Sequence, residues 1–161
     1  MRSMFYRTAM NESHSMSNIA EFPLIWRWTS AAHALFSASE LAGLRPCSLI
    51  EAARIRDASR SFDLRDGLDP RHFSSVRVQS ADVSTLDGCT WLRAQAPDLS
   101  EQVTLSWDGE TALRTGWEFF TARWDDFCYP MSDDVVVVPD SGSWILRFHH
   151  EEIFYFGDRN V

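Results

Sequence analysis

Two short runs carry most of the chemistry this sequence offers. Asp125, Asp126, Asp133 and Asp134 fall within ten residues, and His149, His150, Glu151 and Glu152 are consecutive. Four carboxylates so close repel one another unless water, a local arginine such as Arg123, a cation or a basic protein surface neutralises them. The Ca²⁺-loop spacing with its central glycine is absent, so the first run reads as a solvated or locally paired turn, or as a patch for a basic partner, ahead of a metal loop. In the second run, successive residues on a strand point to opposite faces. His149 and Glu151 can therefore share a face while His149 and His150 cannot, which argues against a compact metal site and for the polar end of a hairpin. Carboxylates beside imidazoles favour the protonated ring. A catalytic His–Glu pair would still need a nucleophile and oxyanion donors, and nothing here supplies them.

Other catalytic signatures are missing. The chain has no G-x-S-x-G, no Gly-rich phosphate loop and no H-E-x-x-H, and it holds only seven glycines. Cys47, Cys89 and Cys128 form no close pair and no C-x-x-C, so they read as reduced, buried thiols without a disulfide framework or zinc site. Cys128, between Phe127 and Tyr129, reads as a packed thiol. No cofactor is called for.

With 161 residues, 45% hydrophobic and 13% aromatic, the chain is sized for one domain with a substantial core. No apolar stretch reaches the roughly 20 residues that cross a bilayer, so no membrane role is expected. Residues 1–80 hold ten arginines against eight acids, whereas residues 81–161 hold five against fifteen. That second half, near −10, repels phosphate backbones and attracts basic surfaces, which excludes nucleic acid as a partner and admits a basic protein. All fifteen basic residues are arginine. Residues 1–18 show no sustained period and no signal-peptide core, and read as a flexible extension of a cytoplasmic protein whose globular domain is 19–161.

The elements that must position these groups follow from local patterns. Residues 21–28, EFPLIWRW, read as a short strand entering the core. Ser37 with Glu40 and Ser48 with Glu51 form two capping boxes, the second starting a helix from Leu49 to about Ser59. Asp66-Gly67, Asp69-Pro70 and Asp87-Gly88 mark turns around a strand at 75–79. Val103, Leu105 and Trp107 alternate as a strand with one buried face, closed by a turn at Asp108-Gly109. Leu113, Trp117, Phe120, Trp124 and Phe127 recur at the period of one helix face and form its core stripe. Val135 to Val138 reads as a strand covered on both faces, 140–143 as a turn, and 144–148 and 153–156 as strands, the former with Trp144, Leu146 and Phe148 opposite Ile145 and Arg147. The sum is an α+β fold, a small antiparallel meander with helices packed on one face.

The block WEFFTARWDDFCYPMSDDVVVV followed by SWILRFHHEEIFYFG resembles small bacterial proteins of uncharacterised function and the acidic, Trp-rich class of immunity proteins, over about residues 100–159. The resemblance implies a cytoplasmic protein that binds and neutralises one cognate toxin domain. An acidic surface over a basic toxin cleft would use Asp125, Asp126, Asp133, Asp134, Glu151 and Glu152, with Trp124 as an aromatic at the rim. Two other readings stand beside it: a small hydrolase or metal-dependent enzyme built on His149 to Glu152 with Asp133 or Asp134, and a non-catalytic subunit.

Overall fold

The computed structural model describes residues 18–64 and 67–160, so the expected extension over 1–18 lies outside the described residues except for Asn18. Its centre is a seven-stranded, wholly antiparallel sheet. In chain order the strands are β1 (Arg45–Pro46), β4 (Phe73–Ser80), β5 (Gln102–Ser106), β6 (Ala112–Gly116), β7 (Val135–Pro139), β8 (Trp144–His149) and β9 (Ile153–Arg159). A separate small hairpin joins β2 (Asp63–Leu64) to β3 (Gly67–Leu68). The spatial order β1-β6-β5-β7-β8-β9-β4 makes β7 to β9 a true meander, each strand joined to the next by the short turns 140–143 and 150–152. The expected α+β class with a small antiparallel sheet holds.

The helices are α1 (Ala38–Ala42), α2 (Leu49–Arg60), α3 (Thr85–Gln95), α4 (Trp117–Ala122) and α5 (Trp124–Phe127). Both capping boxes close reciprocally: the Ser37 and Ser48 hydroxyls accept from the backbone N–H of Glu40 and Glu51, whose carboxylates accept from the serine N–H groups at 2.8 Å. Helices α3, α4 and α5, with the segment from Phe22 to Phe36, cover the sheet face formed by Val103, Leu105, Leu113, Val137, Leu146, Phe154 and Phe156. Helix α2 departs from the one-face arrangement. Its Ala52 packs on Ala112 and Cys47 from the opposite face, where Phe62 and Leu68 at the hairpin also meet Val136 and Ile145. The strands carry apolar or small residues on both faces, so both need a cover.

Four local expectations are overturned. The Leu113-to-Phe127 period belongs to two kinds of element: Leu113 lies in β6 opposite Leu105, and the helix breaks at Arg123 (φ −129°, ψ 22°) into α4 and α5. All five residues of the stripe are nevertheless buried, because a strand and two short helices reach the same core. Residues 19–28 form two 3₁₀ turns, Ile19–Glu21 and Ile25–Arg27, whose i→i+3 bonds leave no ladder for a strand around Pro23. Asp87-Gly88 sits inside α3, and glycine is needed there for packing: a Cβ would run into the Trp124 indole. Strand β5 is also buried on both faces, Thr104 and Ser106 included, where one buried face was expected.

Four indole N–H groups tie separate segments together. Trp28 donates to the Asp126 carbonyl (3.0 Å), Trp107 to that of Phe127 (3.2 Å), Trp117 to Ala96 (2.7 Å) and Trp124 to Thr85 (3.0 Å). Each ring contributes apolar area to the core while its one polar atom satisfies a backbone carbonyl.

Candidate functional site

The strand register brings four connections to one end of the sheet: residues 81–84, 107–111, 128–134 and 150–152. They carry seven acids, Asp82, Asp108, Glu110, Asp133, Asp134, Glu151 and Glu152, and no arginine. At the opposite end, carboxylates have local cations, as where one guanidinium nitrogen of Arg114 donates to both oxygens of Asp140 at 2.6 and 2.8 Å. The site at the acidic end contains most of the residues expected from the sequence, in unequal roles.

Asp133 is not surface. It is buried against Arg27, whose guanidinium donates to its two oxygens at 2.5 and 3.0 Å, and the Tyr129 N–H donates to it at 2.8 Å. The Tyr129 ring lies 4.0 Å from the same guanidinium. This pair holds the 3₁₀ turn at Arg27 to the loop before β7. Trp124 is also buried, wedged between Gly88 and Phe154, so it is not a rim aromatic. The expectation for both fails for one reason: each has a partner distant in sequence.

Asp125 is exposed and accepts a hydrogen bond from the Thr85 hydroxyl. Asp126 is half-buried; burial and the neighbouring Asp125 raise its carboxyl pKa, against the pull of Arg123 at 3.8 Å. At Asp134 burial works in the same direction, but hydrogen bonds from the His150 side chain and backbone outweigh it and hold the carboxyl below its usual range. Glu151 is exposed. Glu152 turns the chain with a φ of 59°.

The turn at 150–152 overrides strand alternation. Strand β8 ends at His149, and the chain folds back so that the two imidazoles lie 4.1 Å apart, tilted by 30°. One ligand atom from each of Asp134, His149 and His150 can be chosen so that all three lie within 4.8 Å of one another. His149 and His150 thus do converge, contrary to the strand-based expectation. The register explains the third member: Val135 pairs with Phe148, which sets Asp134 beside His149.

Sequence reasoning missed the buried cations and the exposed apolar groups. Arg147 lies under the second face, donating to the Gly67 carbonyl at 2.9 Å and standing 3.1 Å from Asp63. Burial raises the Asp63 carboxyl pKa, and Arg147 only partly opposes it. Met131, at a φ of 67°, is 91% exposed, and its N–H donates to the His150 carbonyl; Leu86 at the start of α3 is 74% exposed. The β8 alternation had put Arg147 opposite Trp144; nothing local marks Met131. A cavity of about 160 Å³ opens beside these loops, lined by Leu24, Trp107, Asp108, Thr111, Ser132, Asp133 and Asp134.

No family model, curated protein or solved structure matches the chain. Among the described residues no helix is long and apolar enough to cross a membrane.

Proposed function

We propose that the chain is a protein-binding inhibitor of the immunity type, which neutralises a basic toxin domain with the acidic end of its sheet. One observation carries the reading: four loops that meet at that end hold seven acids and no arginine, six of those acids outside the buried Arg27–Asp133 pair, beside a cavity walled by Asp108 and Asp134. The cavity's 160 Å³ suits one extended lysine or arginine side chain and little more. The exposed Met131 supplies the apolar contact that an interface centre needs amid polar groups. A field of one sign steers a basic partner into place and accelerates association.

The contact set differs from the one expected from the sequence. Asp134, Glu151 and Glu152 remain in it, Asp108 and Met131 join it, and Asp125 and Asp126 flank it. Asp133 and Trp124 leave it for the core.

The test uses a basic toxin domain sought among the products of genes that neighbour this chain's, and measures association and dissociation rates at low and high salt. The variant carries Asp108→Asn, Asp134→Asn, Glu151→Gln and Glu152→Gln together. The expected result is retained circular dichroism, association slowed by about tenfold or more at low salt, and a flattened salt dependence. Unchanged rates with an intact fold would overturn the assignment of this end, and failure of the wild-type chain to bind or inhibit that domain would overturn the immunity reading.

A further inference from the structure

We infer that Asp134, His149 and His150 form a binding site for one divalent transition-metal ion of the Zn²⁺ type. The three side chains come from the start of β7 and the β8–β9 turn, and the ladder between β7 and β8 sets their spacing. The Asp134 carboxylate is already 3.1 Å from His150 Nδ1. Zinc bonds of about 2.0–2.1 Å place neighbouring tetrahedral ligands about 3.3 Å apart, so this edge needs little adjustment.

An ion on His149 Nδ1 would take the lone pair that now accepts a hydrogen bond from the Glu151 N–H at 3.2 Å. The Glu151 carboxylate lies 3.9 Å from the same nitrogen on an exposed, rotatable side chain, in reach as a fourth ligand. The two imidazole centroids lie 4.1 Å apart, close enough for one cation to be shared between the rings. The charges balance as well. Arg147, 3.9 Å from Asp134, is offset by Asp63 at 3.1 Å, which leaves Asp134 and Glu151 to match a dication. Two imidazoles with carboxylates select zinc, nickel or cobalt over magnesium or calcium, which prefer an all-oxygen shell. A bound ion would clasp β7 to the β8–β9 turn and fix the loop that carries Met131. The alternative for the same geometry is an ordinary His150–Asp134 ion pair.

The experiment is isothermal titration of the metal-stripped full-length chain with Zn²⁺ at pH 7.5, repeated with Co²⁺ for its visible spectrum. The expected result is one Zn²⁺ per chain at micromolar or tighter affinity. His150→Gln and Asp134→Asn should each weaken binding by about tenfold or more, while a variant with His14, His33 and His72 all changed to Gln binds as wild type. Zn²⁺ should raise the melting temperature of the wild type and not of His150→Gln, which remains a test if Asp134→Asn fails to fold because His150 is half-exposed. Absence of stoichiometric binding would overturn the site. So would undiminished binding in His150→Gln, or a Co²⁺ thiolate charge-transfer band that assigns the ion to cysteine. None of these outcomes depends on the toxin partner.

Discussion

The two faces of the sheet are closed by different physics. On one, Trp28, Trp117, Phe120 and Phe127 join the strand side chains in a single apolar cluster, and the polar atoms of the tryptophans end on backbone carbonyls. On the other, α2 and the β2–β3 hairpin give two small clusters, and the strands also carry buried polar groups: Thr104, Ser106, Arg147 and His149. A continuous apolar cover leaves no place for a charge. A cover built from a short hairpin and an alanine-rich helix face leaves strand positions that must be filled by polar groups with partners, and the Asp134–His149–His150 cluster stands at the margin of that second face.

The largest test of this contrast is truncation on the aromatic face. Phe120→Ala should cost about 3–5 kcal/mol in denaturant unfolding, since the ring is fully buried among other rings. A loss under about 1 kcal/mol would break the comparison. Next come the two neighbouring aspartates of the acidic loop. Asp133→Asn strips a buried Arg27 of its charge partner and should destabilise by about 3 kcal/mol or more, while Asp134→Asn, half-exposed, should stay within about 1 kcal/mol in metal-free buffer. Equal effects would mean that the turn does not divide core from surface as described. On the second face, Ser48→Ala removes the cap of α2 and should cost about 1 kcal/mol by thermal melting, with Ser48→Asp largely restoring it.

The smallest effect is a pH dependence at the hairpin side. Hydrogen bonds from the Arg71 side chain and backbone hold the Asp69 carboxyl down at about 2. Its folded value lies below the unfolded value of about 3.9, so its contribution to stability is present above about pH 4 and is lost as pH falls toward 2. Unfolding curves of Asp69→Asn against wild type should therefore converge as pH drops through that window. Parallel curves would contradict the pairing.

What the sequence displays well is what depends on near neighbours. The capping boxes at Ser37 and Ser48 read correctly because donor and acceptor are three residues apart. Strands β7, β8 and β9 read correctly because β-branched runs and period-two alternation are properties of the segment itself. Leu113 to Phe127 shows the limit: a 4-3-4-3 spacing marks which residues are buried without saying that one helix buries them, and β6 took Leu113 because Pro46 and Leu105 were there to pair with it. Gly88 looked like a turn because its reason for being glycine, the Trp124 ring, lies far along the chain.

By itself, then, the sequence determined the α+β class, the core residues, the acidic character of the second half and the α2 capping box, since each rests on composition or on contacts within a few residues. Only the tertiary structure decided which acids are functional candidates. Asp133 and Asp134 are adjacent and chemically identical, yet one meets Arg27 more than a hundred positions away and is buried, while the other meets His150 across a turn and stays open. That choice depends on the strand register and on a positive-φ turn at Glu152, which bring distant side chains together at distances that no local spacing encodes.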